Sequence, residues 1–167
     1  MNSSLVRAYV GLGSNLNDPD VQIRSALAAL DAMPATCCVA HSSIYLSKPL
    51  DNSSQPDYLN AVAAVDTHLS ASELLRELHL IEELHGRVRN GDRWGPRTLD
   101  LDLLLYGDVE VSEDSLTVPH PGLPERNFVL YPLHEIAPSL HIPGAGSLQT
   151  LLERCPSLGL QAIAAAV

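Results

Sequence analysis

The apolar positions change period several times along the chain, and each change predicts an element. Leu5 to Leu12 is a short, mostly apolar run bounded by Gly11 and Gly13, which predicts a strand. From Asp20 to Ala32, the residues Ile23, Ala26, Leu27 and Leu30 recur at helical spacing, with Pro19 just ahead as a helix start. Val39 to Leu46 and Tyr58 to Val65 predict two further strands, separated by the polar, proline-bearing loop Ser47–Pro56. Ser70-Ala-Ser-Glu73 has the capping-box form, a hydroxyl followed three residues later by a carboxylate. The helix it opens carries Leu74, Leu75, Leu78, Ile81 and Leu84 and stops at Gly86. Thr98 to Tyr106 then alternates: Leu99, Leu101, Leu103 and Leu105 share one face, and Thr98, Asp100, Asp102, Leu104 and Tyr106 the other.

The order β-α-β-β-α-β suits a split βαβ, an α+β ferredoxin-like sandwich with a mainly antiparallel sheet and two helices packed on one face. A less regular C-terminal extension follows. It holds Val118-Pro-His-Pro121, a short helix around Arg126–Ile136 and a last helix from about Ser147. With 167 residues and no visible repeat or linker, the whole chain reads as one domain. No apolar run approaches the roughly 18–20 residues of a membrane-spanning helix. The first residues carry no charged-then-apolar leader pattern, so the expected location is the cytoplasm. The three cysteines, Cys37, Cys38 and Cys155, show no metal-ligand spacing and read as reduced core thiols.

Charge changes the picture at one place. A formal net charge of −10 argues against nucleic acid or anionic membranes as partners. Yet of ten lysines and arginines, four (Arg87, Arg89, Arg93 and Arg97) fall within eleven residues, which suggests a local anion site. Gly91, Gly95 and Pro96 mark that stretch as a loop that could turn several guanidinium groups toward phosphates. Directly after it, Asp100 and Asp102 point the same way from one strand, with Cα atoms about 6.5–7 Å apart. Carboxylates so placed can converge on one hard cation, or on a pair roughly 3.5–4 Å apart. A solvent-facing strand edge is the bland alternative for such a pair. Tyr58 and Asn60 share a strand face and offer a ring and an amide suited to a flat heterocycle. Phe128, the only phenylalanine, could stack on such a ring, as could Trp94. His120, between two prolines, could meet a phosphate. Gly11-Leu-Gly13 lacks the third glycine of a dinucleotide fingerprint, and no P-loop occurs. Ser14 has no nucleophile elbow around it, and Asn15 reads as turn chemistry.

The run Arg93-Trp-Gly-Pro-Arg-Thr-Leu-Asp-Leu-Asp-Leu-Leu104 closely resembles the signature of the 6-hydroxymethyl-7,8-dihydropterin pyrophosphokinases of folate biosynthesis. The likeness continues through Val10–Leu16, Gln55–Asn60, Gly86–Arg89, Val118–His120, Glu125–Leu130 and Pro132–Pro138. The resemblance implies transfer of pyrophosphate from ATP to the pterin hydroxymethyl group, with release of AMP. It implies two magnesium ions on Asp100 and Asp102, and catalytic contacts from Arg87 and Arg97. Ser47, Pro49, Leu50, Tyr58, Asn60, Trp94 and Phe128 would enclose the pterin. His79, Glu82, Arg87, Arg97, His120 and Arg126 would meet ATP, and the loops Ser47–Pro56 and Arg87–Arg97 would close over both substrates. The partners implied are ATP and the reduced hydroxymethylpterin; a monomer is expected, with an oligomer left open. Asn90, Gly122 and His79 depart from residues common in the family and remove positive or polar contacts around ATP. Two other readings stay open: another two-metal nucleotidyl transferase, and a non-catalytic pterin- or nucleotide-binding module.

Overall fold

A computed structural model describes residues 4–48, 56–86 and 98–165. Its centre is a six-stranded sheet built from β1 (Val6–Ser14), β2 (Thr36–His41), β3 (Ser43–Ser47), β4 (Tyr58–Thr67), β5 (Asp100–Tyr106) and the last strand of the chain, β10 (Gln161–Ala165). Every pairing is antiparallel: β10 with β3, β3 and β2 with β4, β4 with β1, and β1 with β5. The single strand expected from Val39 to Leu46 is thus two, broken at the buried Ser42. The Ser42 N–H donates to the Val62 carbonyl at 2.8 Å, and its Oγ accepts the Val62 N–H at 2.9 Å, so a side chain replaces one rung of the ladder.

Helices α1 (Pro19–Asp31) and α2 (Ala71–Leu84) lie between β1 and β2 and between β4 and β5. Pro19 sits in the first turn of α1, where its missing N–H costs nothing, and Ile23, Ala26, Leu27 and Leu30 turn inward as the spacing predicts. The capping box on α2 is complete. Glu73 N donates to Ser70 Oγ at 3.2 Å, and Ser70 N donates to Glu73 Oε2 at 2.8 Å.

The residues after β5 build a layer of their own. They form the hairpin β6 (Val111–Glu113) and β7 (Leu116–Val118), then α3 (Asn127–Ile136). The ribbon β8 (His141–Ile142) and β9 (Gly146–Ser147) follows, then α4 (Leu148–Glu153). One core joins α1 and α2 to the sheet through Val10, Leu12, Ala63, Val65, Leu101 and Leu103. A second joins α3 and α4 to the opposite face through Tyr9, Val62, Ala64, Leu104 and Leu105. Helices therefore cover both faces, not one. Glu135 ties α3 down: Ser43 N donates to its Oε2 at 2.8 Å and Tyr45 Oη to its Oε1 at 2.6 Å. Burial, with Glu135 second, pushes the Tyr45 hydroxyl pKa above its ordinary value, so the hydroxyl stays a donor.

The alternation expected along β5 fails after Leu103. The register slips where Val10 pairs with Leu103 but Tyr9 pairs with Leu105, leaving Leu104 as the extra residue of a bulge. Leu104 and Leu105 consequently both face α3, and Tyr106 rejoins Leu99, Leu101 and Leu103. All three cysteines are free, with Cys155 buried and Cys38 half-buried. Cys37 is exposed, not a core thiol, because β2 turns every second residue outward. No helix among the described residues is long and apolar enough to cross a membrane.

Candidate functional site

Strand pairing brings distant residues into one row. Asn60 on β4 pairs with Gly13 on β1, and Gly13 pairs in turn with Asp100 on β5. Two strand spacings, about 9.5 Å, separate the backbones of Asn60 and Asp100. All three residues lie on the α3 face, since Asn60 alternates with Val62 and Ala64, and Asp100 with Leu104. Gly13 has no side chain, so the floor between the amide and the carboxylate is bare. A Cβ there would sit 3.2 Å from Asn60 Oδ1 and 3.8 Å from the Tyr58 ring. Gly11 pairs with Asp102 in the neighbouring row and repeats the arrangement. These two glycines line up with the candidate residues, although their motif fits no dinucleotide fingerprint.

Asn60 is buried, and its Nδ2 donates to Ser47 Oγ at 2.6 Å, a hydroxyl that is itself buried. That bond leaves Oδ1 on the Gly13 side. The amide therefore holds a fixed acceptor against Gly13, which is itself buried. Tyr58, on the same face of β4, and Phe128, in the first turn of α3, are half-buried aromatic walls. Ser47, Tyr58, Asn60 and Phe128 thus share the α3 side of the sheet.

The outer edge of β5 forms a second wall. A cleft of about 310 Å³ runs round this edge, lined by Leu75, His79 and Glu82 of α2, by Asp100 and Asp102, and by Thr117 and His120 at and beyond β7. Asp100 and Asp102 are half-buried, and the His120 Nε2 lies 3.9 Å from Asp102 Oδ1. His120 Nδ1 accepts the Gly122 N–H at 3.1 Å, which leaves the imidazole proton on Nε2, facing the carboxylate. The His120 backbone N–H donates to the Leu104 carbonyl at 2.9 Å, fixing this loop to β5.

Glu82, expected to meet ATP, lines the cleft and also has a structural partner. It is only 2% exposed, and its Oε2 accepts the Leu101 N–H at 2.8 Å. Leu101 lies between the two aspartates, so Glu82 secures the strand that presents them. Arg126 is half-buried beside α3, its guanidinium over the Phe128 ring at 5.9 Å. Pro49, Leu50, Arg87, Trp94 and Arg97 lie outside the described residues, as do most of loop Ser47–Pro56 and all of Arg87–Arg97.

Sequence reasoning missed the turn after β1. Ser14 and Asn15 are buried polar residues; Ser14 Oγ donates to the Thr98 carbonyl and Asn15 Nδ2 to the Pro56 carbonyl at 2.9 Å. Buried hydroxyls and amides need partners, and these reach the chain just before β4 and β5. Nothing in the local Gly-Ser-Asn spelling reveals those distant acceptors.

Among the described residues, no group of three or more His, Cys, Asp or Glu side chains could cage a metal. Two aspartates on one strand still suit magnesium, which dehydrates reluctantly and commonly takes one or two carboxylates together with substrate phosphates. The donor set fits a cation that arrives with a phosphate ligand.

The family model described as 7,8-dihydro-6-hydroxymethylpterin-pyrophosphokinase matches residues 9–138. A relative from Pseudomonas aeruginosa, named 2-amino-4-hydroxy-6-hydroxymethyldihydropteridine pyrophosphokinase, is 48% identical over 155 residues, covering 93% of this chain and 95% of its own. A Haemophilus influenzae protein of the same name is 47% identical over 150 residues, covering 90% and 93%. Among solved structures, wild-type Plasmodium falciparum HPPK-DHPS with pteroate superposes with a TM-score of 0.72 at 13% identity. That likeness shows the fold, over 90% of this chain and 44% of the longer one.

Proposed function

The chain belongs to the 7,8-dihydro-6-hydroxymethylpterin-pyrophosphokinase family, ATP-dependent transferases of folate biosynthesis, and on that premise we propose how its residues divide the work. The enzyme transfers pyrophosphate from ATP to the hydroxymethyl group of the reduced pterin and releases AMP. In our reading the pterin lies on the α3 face, its edge hydrogen-bonded to Asn60 Oδ1 and its ring between Tyr58 and Phe128. The hydroxymethyl arm then extends across Gly13 toward Asp100. The single observation that supports this reading is the row Asn60–Gly13–Asp100, which aligns the amide and a carboxylate across a residue with no side chain.

Asp100 and Asp102 would hold two magnesium ions together with ATP phosphates. Held by these two carboxylates, magnesium would supply charge neutralisation of the triphosphate and Lewis-acid activation of its β-phosphorus. The chain's own groups orient the reaction. The edge cleft takes the nucleotide, with His79 and His120 on its walls. His120 Nε2 lies 3.9 Å from Asp102 Oδ1, on the wall where the phosphates would sit. Arg126 reaches the nucleotide side, and Arg87 and Arg97 stabilise charge as the acceptor oxygen bonds to the β-phosphorus and the link to the α-phosphate breaks. Pro49, Leu50 and Trp94 complete the pterin wall in the same reading. The strand order, with β4 between β2 and β1, supports a ferredoxin-like core with a C-terminal extension. We extend the proposal to a monomeric, single-domain, cytoplasmic enzyme whose acidic balance of −10 suits small substrates better than nucleic acid.

Purified protein with magnesium, ATP and the reduced hydroxymethylpterin should yield AMP and the pterin pyrophosphate. ADP or free pyrophosphate as the main product overturns the transfer. Asp100→Ala and Asp102→Ala should each abolish turnover with an unchanged circular-dichroism spectrum. A variant that kept most of its activity would remove the metal role.

A further inference from the structure

Gly122 follows His120 and Pro121, which line the edge cleft, and lies against Arg126. Its backbone is ordinary right-handed helical at φ −83° and ψ −7°, so conformation does not require glycine there. Space does. A Cβ at this position would stand 2.5 Å from Arg126 Nε and 2.6 Å from its Cζ, far inside contact distance. The guanidinium lies directly against the bare Cα, and the same group stands over Phe128, 5.9 Å from the ring centroid. At that distance a cation and an aromatic face attract.

We propose that Gly122 is a positioning residue that seats the Arg126 guanidinium over Phe128, so that one contact sets both a phosphate-side cation and a pterin-side wall. The proposal rests on the reading that places Arg126 toward ATP and Phe128 toward the pterin. The seat is local. Gly122 N donates to His120 Nδ1, a bond that alanine would keep, and the atoms in the way belong to the far end of a flexible side chain. A methyl group at 122 therefore displaces the guanidinium while leaving the backbone where it is. The aromatic wall loses its cation, and the cation loses its fixed direction.

The test is a mutant cycle on the full chain with two readouts. Gly122→Ala should raise the KM for ATP and for the pterin about two- to fivefold, the scale of one partly exposed cation–aromatic contact, with kcat less affected. In an Arg126→Ala background the same substitution should change neither KM, because no guanidinium remains to displace. Independently of activity, the Arg126 Nε–Hε resonance, shifted by the Phe128 ring current, should move in Gly122→Ala toward its position in Phe128→Leu. The seat is overturned if Gly122→Ala leaves that resonance unmoved, or if its KM effect persists in full without Arg126. If Arg126→Ala leaves both KM values unchanged, the assignment of Arg126 to ATP fails, while the resonance still decides the seat.

Discussion

Glu82 offers the sharpest separation of structure from catalysis. Asp100 and Asp102 pair with Gly13 and Gly11 on β1, so the intervening Leu101 turns its N–H to the outer edge of β5. Glu82 Oε2 accepts that N–H at 2.8 Å from a side chain 2% exposed. Removing the carboxylate leaves a backbone donor at a buried strand edge without this acceptor, a cost of about 1–3 kcal/mol. The middle of that range is about 2 kcal/mol. In a chain of this size that lowers the melting midpoint by about 4–8 °C. Glu82→Ala should show this fall, together with faster hydrogen exchange at the Leu101 amide and reduced turnover as the aspartates lose their fixed spacing. Glu82→Gln keeps an oxygen in place and should lose about 1 kcal/mol or less, with Leu101 still protected. If Glu82→Gln falls as far as Glu82→Ala in both melting and exchange, the charge and not the edge bond is what matters. If Leu101 stays protected in Glu82→Ala, the edge bond is refuted outright.

In the proposed reading the amide is the oriented acceptor for the heterocycle edge, so Asn60→Ala should raise the pterin KM about tenfold or more while the ATP KM stays near its original value. Steady-state kinetics with each substrate varied decides this, and an equal rise in both constants would refute it. At the start of α2, the backbone N–H of Ser70, foremost among several contacts, holds the Glu73 carboxyl down to about 2 from 4.5. Its folded pKa is depressed, so its stabilising effect is whole above 4.5 and is lost as pH falls toward 2. Thermal melts of Glu73→Gln should accordingly fall less steeply across that window than those of the unmodified chain, and parallel curves would count against the capping box as the cause.

A residue's role is legible in the sequence when its partner lies nearby in the chain. The capping box, the apolar stripe of α1 and the alternation around Asp100 and Asp102 are local patterns, and each survives in the fold. The break at Ser42 and the bulge at Leu104 leave no local trace because each answers to a neighbouring strand, β4 in one case and β1 in the other. The second helical layer is hard to read for a related reason. Its apolar residues, Val129, Leu130 and Leu133, are few and interrupted by Pro132, and they make sense only against Tyr9, Val62 and Ala64.

The same distinction runs through the site itself. Residues that offer charge or aromatic surface announce themselves by type: the aspartates, Asn60, Tyr58, Phe128 and His120. Residues that act by leaving space or by turning inward do not. Gly11 and Gly13 look like a failed nucleotide fingerprint until strand register places them under the aspartates and beside Asn60. Glu82 looks like one more acidic residue on a helix until its carboxylate is found at the edge of β5. The space beside a glycine has to be flanked by side chains that fill everything around it, and that is a property of the packed sheet, not of any one segment. The candidate residues are therefore written in short motifs, whereas the geometry that brings them together comes from three antiparallel neighbours, β4, β1 and β5, drawn from well-separated parts of the chain.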